Sequence, residues 1–382
     1  MDEIFDLIDE NALIADCEYL ERNPETGFKL LKTLSYVENE LKKYSIEYER
    51  CGKAGICAYI GDKNLTKTLL LRADMDALPS STGKNMHLCG HHMHTAMLLG
   101  AARAIKSRES ALSCRVKLMF QPAEEILSGA KDMIDSGILE NPKVDWAFML
   151  HCAAATDFDS GTVIFASSGD IAPSADYFDI VVKGKSSHGS EPSKGMDPIS
   201  AGAHVVCALQ NINARELSLK EDAVITLGKV VGGSAPNAIA DELKIQGTMR
   251  TYSEETTRFV KKRIEDISKG VASALRTSAE VYYTHGCPPF KNDGALLEKV
   301  SLLAKDVLGE RRVIMLPDGE RGGGSEDFAY VSRLVPTVMG VICAGKKDDG
   351  YNYPLHNVNV RFDKKALPYG SALMTYLAFN LN

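Results

Sequence analysis

The stretch from Thr68 to Ile105 constrains the fold of this chain more than any other part of the sequence. It opens on Leu69-Leu70-Leu71, an apolar run that predicts a buried strand. It closes on a segment rich in Ala, Leu and Met, from Thr95 to Ile105, which predicts a buried helix. A buried strand followed by a buried helix is typical of an α/β fold, and we predict that class.

One thiol and three imidazoles lie between this strand and this helix, in Cys89-Gly90-His91-His92-Met93-His94. Thiolates and neutral imidazoles are the side chains that hold zinc and similar metals. A glycine separates Cys89 from His91, so a loop there can turn both toward one ion. The alternative is a loop with surface histidines and a buried cysteine. The position of the cluster between two buried elements favours a metal site.

Candidate chemistry also follows two further apolar strands. Strands are predicted at Val116 to Phe120 and at Trp146 to Leu150. The first is followed by Glu124/Glu125 and the second by His151, just as the strand around Leu70 is followed by Asp74/Asp76. In open α/β sheets, functional sites lie at the carboxyl ends of the strands. The three strand ends therefore predict a single site.

Glu124 and Glu125 are adjacent, so their side chains point in different directions, and one carboxylate can bind a metal while its neighbour faces a water molecule. That division of labour is usual in metal-assisted hydrolysis. The alternative is a solvated acidic start to the next helix, where the helix dipole favours acids. His151 and His356 are further ligand candidates, although a single histidine can equally be structural.

The composition excludes several classes of protein. The 382 residues are too many for one ordinary core and predict two domains. A net charge of -7 argues against nucleic acid or an anionic membrane as a partner. The acidic first residues lack the basic region of a signal peptide, and no apolar run approaches the roughly 20 residues that cross a bilayer. The nine cysteines are odd in number and scattered, so we expect reduced thiols and a cytoplasmic location.

From residue 174 the pattern changes to that of a smaller domain. The predicted elements run β-α-β-β-α-β, the split βαβ arrangement of a ferredoxin-like domain: Tyr177–Val182, Asp197–Ile212, Ala223–Val231, Glu242–Thr251, Glu254–Leu275 and Ala279–Thr284. After it, the sequence returns to helices and buried strands of the first kind. We therefore predict a domain at 174–286 inserted into a metal-binding domain at 1–173 and 287–382.

The motifs of the whole chain resemble one enzyme family. RADMDALP, HLCGHHMHTAMLLGAA, FQPAEE, SSHGSEPSKGMDPI, NAIADELKIQGTMRT, GGGSEDF and YPLHN are similar, in order and nearly end to end, to the aminoacylase, hippurate hydrolase and auxin-conjugate (IAA-amino acid) hydrolase family of dinuclear-metal amidohydrolases. This resemblance implies a zinc-peptidase-like catalytic domain, with a mixed sheet and helices on both faces, and an inserted domain that serves as a lid and dimerises.

The resemblance also implies the roles of individual residues. It makes Glu124 the general acid/base, and it places His188, Asn237 and Arg250 against the substrate, His188 in the partner's site and Arg250 on a substrate carboxylate. It implies two divalent ions per chain, Zn²⁺ or Mn²⁺ with Co²⁺ or Ni²⁺ as alternatives. The implied ligands of these ions are Cys89, His91, Glu125, His151 and His356.

We therefore predict hydrolysis of the amide bond of an N-acyl amino acid or a related conjugate by a homodimer. The alternatives are a dipeptidase or aminopeptidase, an N-acetyl-diaminopimelate-type deacetylase, and an inactive binding homologue. The chain departs from the family pattern at three places: His92 stands where the family has Asp, Glu21-Arg22-Asn23-Pro24-Glu25 replaces His-x-His-Pro-Glu, and the segment from Leu78 to Met86 is short. For His92 the sequence leaves two alternatives: a role beside the metals, or a side chain that faces solvent at the start of the following helix.

Overall fold

A computed structural model describes residues 2–381 of the chain. The chain divides into two compact units. Unit 1 consists of Met1–Ile171, Lys291–Arg321 and Asp327–Asn382, and unit 2 consists of Ala172–Phe290 and Gly322–Glu326.

The α-helices are α1 (Asp2–Phe5), α2 (Glu10–Arg22), α3 (Leu31–Lys43), α4 (His91–Ser107), α5 (Gly129–Asp135), α6 (Pro198–Asn211), α7 (Glu254–Ala274), α8 (Gly294–Leu308), α9 (Ala329–Ser332) and α10 (Leu367–Asn380). The strands are β1 (Glu47–Cys51), β2 (Gly55–Ile60), β3 (Thr68–Asp74), β4 (Leu78–Pro79), β5 (Asn85–Met86), β6 (Arg115–Gln121), β7 (Trp146–Ala153), β8 (Val163–Phe165), β9 (Gly169–Ala172), β10 (Ala175–Lys183), β11 (Ser187–His188), β12 (Ala223–Gly232), β13 (Ala238–Ile239), β14 (Glu242–Thr251), β15 (Ser278–Cys287), β16 (Phe290–Asn292), β17 (Val313–Met315) and β18 (Thr337–Cys343). None of the helices among residues 2–381 is both long and apolar enough to span a membrane.

Unit 1 is built on a mixed sheet in the order β1-β2-β6-β3-β7-β18-β8-β17. The central strands β6, β3, β7 and β18 are parallel to one another. Successive side chains of a strand point to opposite faces. Leu71 joins the hydrophobic cluster that includes α4, whereas the guanidinium of Arg72 lies 5.3 Å from the ring of Phe328, just before α9. Helices therefore cover both faces, which confirms the predicted α/β class.

Helix α4 lies against β3 and begins four residues earlier than the sequence predicted. Gly90 adopts a left-handed conformation, φ 87°, at the N-cap and turns the chain directly into the helix. His91, His92 and His94 consequently lie in the first turn of α4 and not in a loop. All residues of α4 from His91 to Ile105 are buried, as the apolar composition predicted.

Strand β7 is longer than predicted, so His151 lies inside the strand and not at its end. Pairing with β18 continues through His151↔Val341, Cys152↔Ile342 and Ala153↔Cys343. The polar side chain is tolerated there because it lies at the carboxyl edge of the sheet, beside the end of β3.

The principal elements of unit 2 follow the order β-α-β-β-α-β: β10, α6, β12, β14, α7 and β15. Its antiparallel sheet has the order β12-β14-β10-β15, and α6 and α7 share a hydrophobic cluster with it. Residues 322–326, which the sequence analysis assigned to the other domain, belong to this unit. They are held there because Arg250 donates to Ser325 Oγ, Ser325 Oγ donates to the carbonyl of Ser174, and Tyr252 donates to the carbonyl of Gly322.

Candidate metal centre

Separate segments of unit 1 bring the five predicted metal ligands together. Cys89 and His91 flank the start of α4, Glu125 follows β6, His151 lies in β7, and His356 lies in the loop after β18. Their donor atoms form two groups, Cys89/His91/His151 and Cys89/Glu125/His356, in each of which all atoms lie within 4.8 Å of one another. The sulfur of Cys89 belongs to both groups.

The spacing of these donors matches that of metal ligands. Two ligands at about 2.0–2.3 Å from a tetrahedral ion lie about 3.5 Å from each other. Cys89 Sγ is 3.6 Å from His151 Nε2, and Glu125 Oε2 is 3.8 Å from His356 Nε2. His91 Nε2 is 3.7 Å from Glu125 Oε1, so the two groups also adjoin each other.

Several ligand atoms are buried and have no hydrogen-bond partner among the residues that the structure describes. Both ring nitrogens of His91 and Oε1 of Glu125 are of this kind. A buried polar atom that makes no hydrogen bond costs on the order of 1–3 kcal/mol. Cations placed between these donors would remove that cost, so the residues present fit a metal site.

The charge states of the ligands also suit divalent ions. Burial by itself would raise the pKa of Cys89, but His151, His356 and His91 hold this pKa well below its usual value. Burial raises the pKa of Glu125 to about 8, against the opposing effect of His91. A cation beside Glu125 would favour its ionised form. The site therefore presents a thiolate and a carboxyl group that a cation can ionise.

Asp76 fixes the adjacent glutamates through their backbone. Its carboxylate accepts hydrogen bonds from the backbone N–H of Glu124, at 3.0 Å, and of Glu125, at 3.2 Å. The preceding Ala123 has a positive φ of 55°, which turns the chain sharply after β6. Glu124 is 5% exposed, and its Oε2 lies 4.0 Å from His91 Nε2. Both carboxylates therefore face the ligand cluster.

His94 lies beside the cluster but is not available as a ligand. Its Nδ1 lies 2.6 Å from Asp74 Oδ1, and its Nε2 accepts a hydrogen bond from the backbone N–H of Cys152 at 2.7 Å. Because both ring nitrogens are engaged, His94 cannot bind a metal without breaking one of these bonds. Of the three imidazoles that the sequence grouped together, only His91 faces the other ligands.

A buried arginine lies behind the site that the sequence did not predict. Arg72 is fully buried, and its Nη1 lies 2.9 Å from Asp74 Oδ2. Its Nε donates to Gln121, which in turn donates to Asp327. A charged residue within an otherwise apolar run, Leu69-Leu70-Leu71-Arg72-Ala73, was the signal that could have found it, since a buried guanidinium needs a carboxylate partner.

His92 does not face solvent, so that alternative is wrong. It is 3% exposed, and its ring packs 5.0 Å from the ring of His87 and 5.4 Å from that of Phe362. Burial lowers the pKa of both His87 and His92, which favours the neutral form of each. The residue at this position therefore belongs to the packing beneath the start of α4.

The predicted substrate-binding residues lie in unit 2. His188 lies on β11, where it pairs with Ala238 of β13, and Asn237 directly precedes β13. The backbone N–H of Gly189 donates to the carbonyl of Asn237 at 2.8 Å, so His188 and Asn237 lie near each other. Both are exposed, and His188 Nδ1 lies 2.7 Å from Ser190 Oγ. Arg250 lies on β14 and donates to Ser325.

Most of the chain is similar to known proteins of one peptidase family. The model of peptidase family M20/M25/M40 matches residues 70–380. IAA-amino acid hydrolase ILR1-like 2 of Arabidopsis thaliana is 32% identical, over 94% of this chain and 82% of its own. Hippurate hydrolase of Campylobacter jejuni is 32% identical, over 98% and 97%.

A solved structure extends the likeness to the fold. The YXEP protein of Bacillus subtilis, described as a dinuclear metal-binding peptidase of the M20 family, superposes with a TM-score of 0.78. The two chains are 27% identical, and 97% of each is covered. Together with the family match and the relatives above 30% identity, this shows that the chain belongs to peptidase family M20/M25/M40.

Proposed function

We propose that the protein is a metal-dependent amidohydrolase that cleaves N-acyl amino acids, or related amino-acid conjugates, into a carboxylic acid and a free amino acid. The observation that supports this proposal most is the pair of ligand groups that share Cys89, with the buried carboxylate of Glu124 beside them. The relatives named above, which act on IAA-amino acids and on hippurate, set the substrate class.

The ligands divide between two divalent ions. Cys89, His91 and His151 would hold one ion, and Cys89, Glu125 and His356 would hold the other. The mixture of thiolate, imidazole and carboxylate suits zinc, and manganese, cobalt and nickel are the alternatives. When bound, two such ions polarise the substrate carbonyl and lower the pKa of a nearby water molecule.

Glu124 is the proton carrier of the reaction. It takes a proton from the water whose oxygen adds to the acyl carbon, and it gives that proton to the nitrogen as the amide C–N bond breaks. Asp76 supports this role because it fixes the backbone N–H of Glu124 at 3.0 Å. Glu125 differs in that its carboxylate would bind a metal.

The residues of unit 2 bind the substrate. Arg250 pairs with the carboxylate of the amino-acid portion, for which a planar guanidinium is well shaped. Asn237 binds the amide region, and His188 stabilises the oxyanion in the site of the partner subunit of a homodimer. Unit 2 would thus serve as lid and dimerisation domain. The cytoplasmic location stays a prediction from the sequence.

Turnover by the metal-loaded protein tests the proposal across a panel of acetyl, benzoyl and indole-acetyl amino acids, with dipeptides as the competing class. We expect the N-acyl amino acids to be cleaved and Glu124→Gln to abolish most of that activity. Glu298→Gln, an exposed glutamate on α8, is the matched control and should be unaffected. Cleavage of dipeptides alone would favour the peptidase alternative, and no turnover of either class by a fully loaded protein would contradict the proposal.

A further inference from the structure

The histidine that the metal ligands leave aside, His94, joins three elements of the site. It lies on α4 one helical turn after His91, and it is completely buried. Its Nδ1 contacts Asp74 at the end of β3, and its Nε2 contacts the backbone of Cys152 in β7. The hydroxyl of Thr95, the next residue, donates to the carbonyl of Asp74 at 2.7 Å. Hydrogen bonds thus connect the start of helix α4 to the carboxyl ends of β3 and β7.

The partners of His94 determine its tautomer. A backbone N–H can only donate, so the N–H of Cys152 requires Nε2 to be the acceptor. The proton of the neutral ring therefore lies on Nδ1 and is donated to Asp74. Burial by itself would raise the pKa of Asp74, but Arg72, whose Nη1 lies 2.9 Å from Asp74 Oδ2, and the two neighbouring histidines together hold this pKa well below its usual value. Asp74 is therefore an ionised acceptor for the proton on Nδ1.

The peptide that His94 holds is the one that joins His151 to Cys152. The position of this peptide sets the direction in which the side chain of His151 leaves β7. The carbonyl of Cys152 then accepts from Nδ1 of His151 at 2.8 Å, which leaves Nε2 facing Cys89 Sγ at 3.6 Å. His94 therefore holds the peptide directly after His151, and the next peptide supplies the carbonyl that orients the ring of His151.

We infer that His94 is a positioning residue that sets the distance between His91 and His151, and so controls the affinity of the Cys89/His91/His151 group for its ion. The inference rests on the proposed function for the assignment of that group. The inference predicts that the two ions are affected unequally. The Cys89/Glu125/His356 group shares the sulfur, but none of its residues depends on the contact between His94 and Cys152. Loss of the hydrogen bond to Cys152 should lower the affinity for the ion of the Cys89/His91/His151 group far more than the affinity for the other ion.

Two substitutions separate the two bonds of His94. His94→Gln places an amide oxygen near the position of Nε2 and keeps an acceptor for the N–H of Cys152. His94→Asn places an amide N–H near the position of Nδ1 and keeps the donor to Asp74 but loses the acceptor. The metal-free proteins are titrated with Co²⁺ alone, and the absorption of the thiolate–cobalt bond and the bound cobalt are measured together with thermal unfolding of the metal-free forms.

Wild-type protein should bind two Co²⁺ ions. His94→Asn should bind one of them about 10- to 100-fold more weakly, the range for residues that orient metal ligands. His94→Gln should stay below a tenfold loss. In the double variant His94→Asn/His151→Ala, the loss should be no larger than in His151→Ala alone, because both changes act on the same ion.

If both variants bound both ions more weakly and to the same extent, His94 would contribute only general packing, and the inference would be overturned. Unchanged affinity for both ions in His94→Asn would overturn it as well. If His94→Asn does not fold, His94→Gln decides alone, and a loss of one ion beyond tenfold overturns the inference. Failure of the wild-type protein to bind two ions would instead reject the proposed function, so the two failures are distinguishable.

Discussion

The predicted metal ligands of unit 1 and the predicted substrate residues of unit 2 differ in how firmly the fold holds them. His91 is fully buried, Cys89 is 7% exposed, and their surroundings include buried carboxylates and Arg72. His188, on the two-residue strand β11, and Asn237, directly before β13, are both exposed. Of the predicted ligands, His356 alone is exposed like the residues of unit 2. We therefore expect unit 1 to hold most of its ligands in place before a metal binds, whereas His188 and Asn237 would be ordered by contact with a substrate or a partner. Changes in unit 1 should thus alter metal binding, and changes in unit 2 should alter catalysis with the metals in place.

The largest effect is expected at Glu124. This residue lies in unit 1, but its substitution should alter catalysis and not metal binding. If Glu124 carries the proton and is not a ligand, Glu124→Gln should retain both ions while kcat falls by roughly two to four orders of magnitude. Glu125→Gln should lose metal, because it removes a charged ligand. Metal content and kcat measured on the same preparations check this prediction. If Glu125→Gln kept its metals and Glu124→Gln lost them, the roles of the two carboxylates would be reversed.

His188 should show the next largest effect, on the side of unit 2. Removing an oxyanion-stabilising donor costs about 10²- to 10³-fold in kcat, so His188→Ala should be nearly inactive with full metal content. If His188 acts in the partner's site, mixing His188→Ala with Glu124→Ala subunits creates hybrid dimers with one intact site. Random mixing should then restore about a quarter of wild-type activity. Hybrid dimers of proven composition that stay inactive would argue against the trans arrangement.

Arg250 should affect substrate binding to a smaller extent. Loss of a charge-assisted hydrogen bond costs about 1.5–3 kcal/mol, so Arg250→Ala should raise KM for free-acid substrates by about 10- to 100-fold. The corresponding amino-acid amides, which lack the carboxylate, should be affected far less in the variant. Because Arg250 also donates to Ser325, Ser325→Ala serves as the control for lost packing. Equal losses for acids and amides would show that Arg250 does not bind the carboxylate.

The smallest effect is expected at His92, which lies in unit 1 but contacts His87 and Phe362. His92→Asp adds a negative charge near the metal ligands and should tighten retention of the ions against a chelator by about tenfold at most. His92→Asn is the neutral control of similar shape and should retain the ions as the wild type does. Identical retention in all three proteins would limit the role of this position to packing.

The sequence predicted the fold class and the convergence of the ligands because both depend on local patterns. The apolar runs that become β3, β6 and β7 are readable without tertiary information, and so is the Cys-Gly-His spacing before α4. Since the carboxyl ends of parallel strands share one edge of a sheet, recognising the strands was enough to bring Glu125 and His151 to the same place.

The features that the sequence predicted wrongly or did not predict depend on contacts between distant parts of the chain. Pairing with β18 extends β7 past His151, and nothing in the local sequence of β7 signals its partner. His92 is buried because Phe362, far along the chain, covers it. Arg72 is tolerated in an apolar strand only because the fold supplies Asp74 and Asp327, of which the second lies in a late segment.

The number of metal ions held by single-ligand variants tests the central claim most directly, because Cys89 alone belongs to both ligand groups. Elemental analysis after reconstitution with Zn²⁺ and removal of excess should give two ions per wild-type chain. His151→Ala and His356→Ala should each retain one ion, and Cys89→Ser should weaken both. A single ion in the wild type, or two ions firmly held by Cys89→Ser, would contradict a dinuclear centre built around this thiolate.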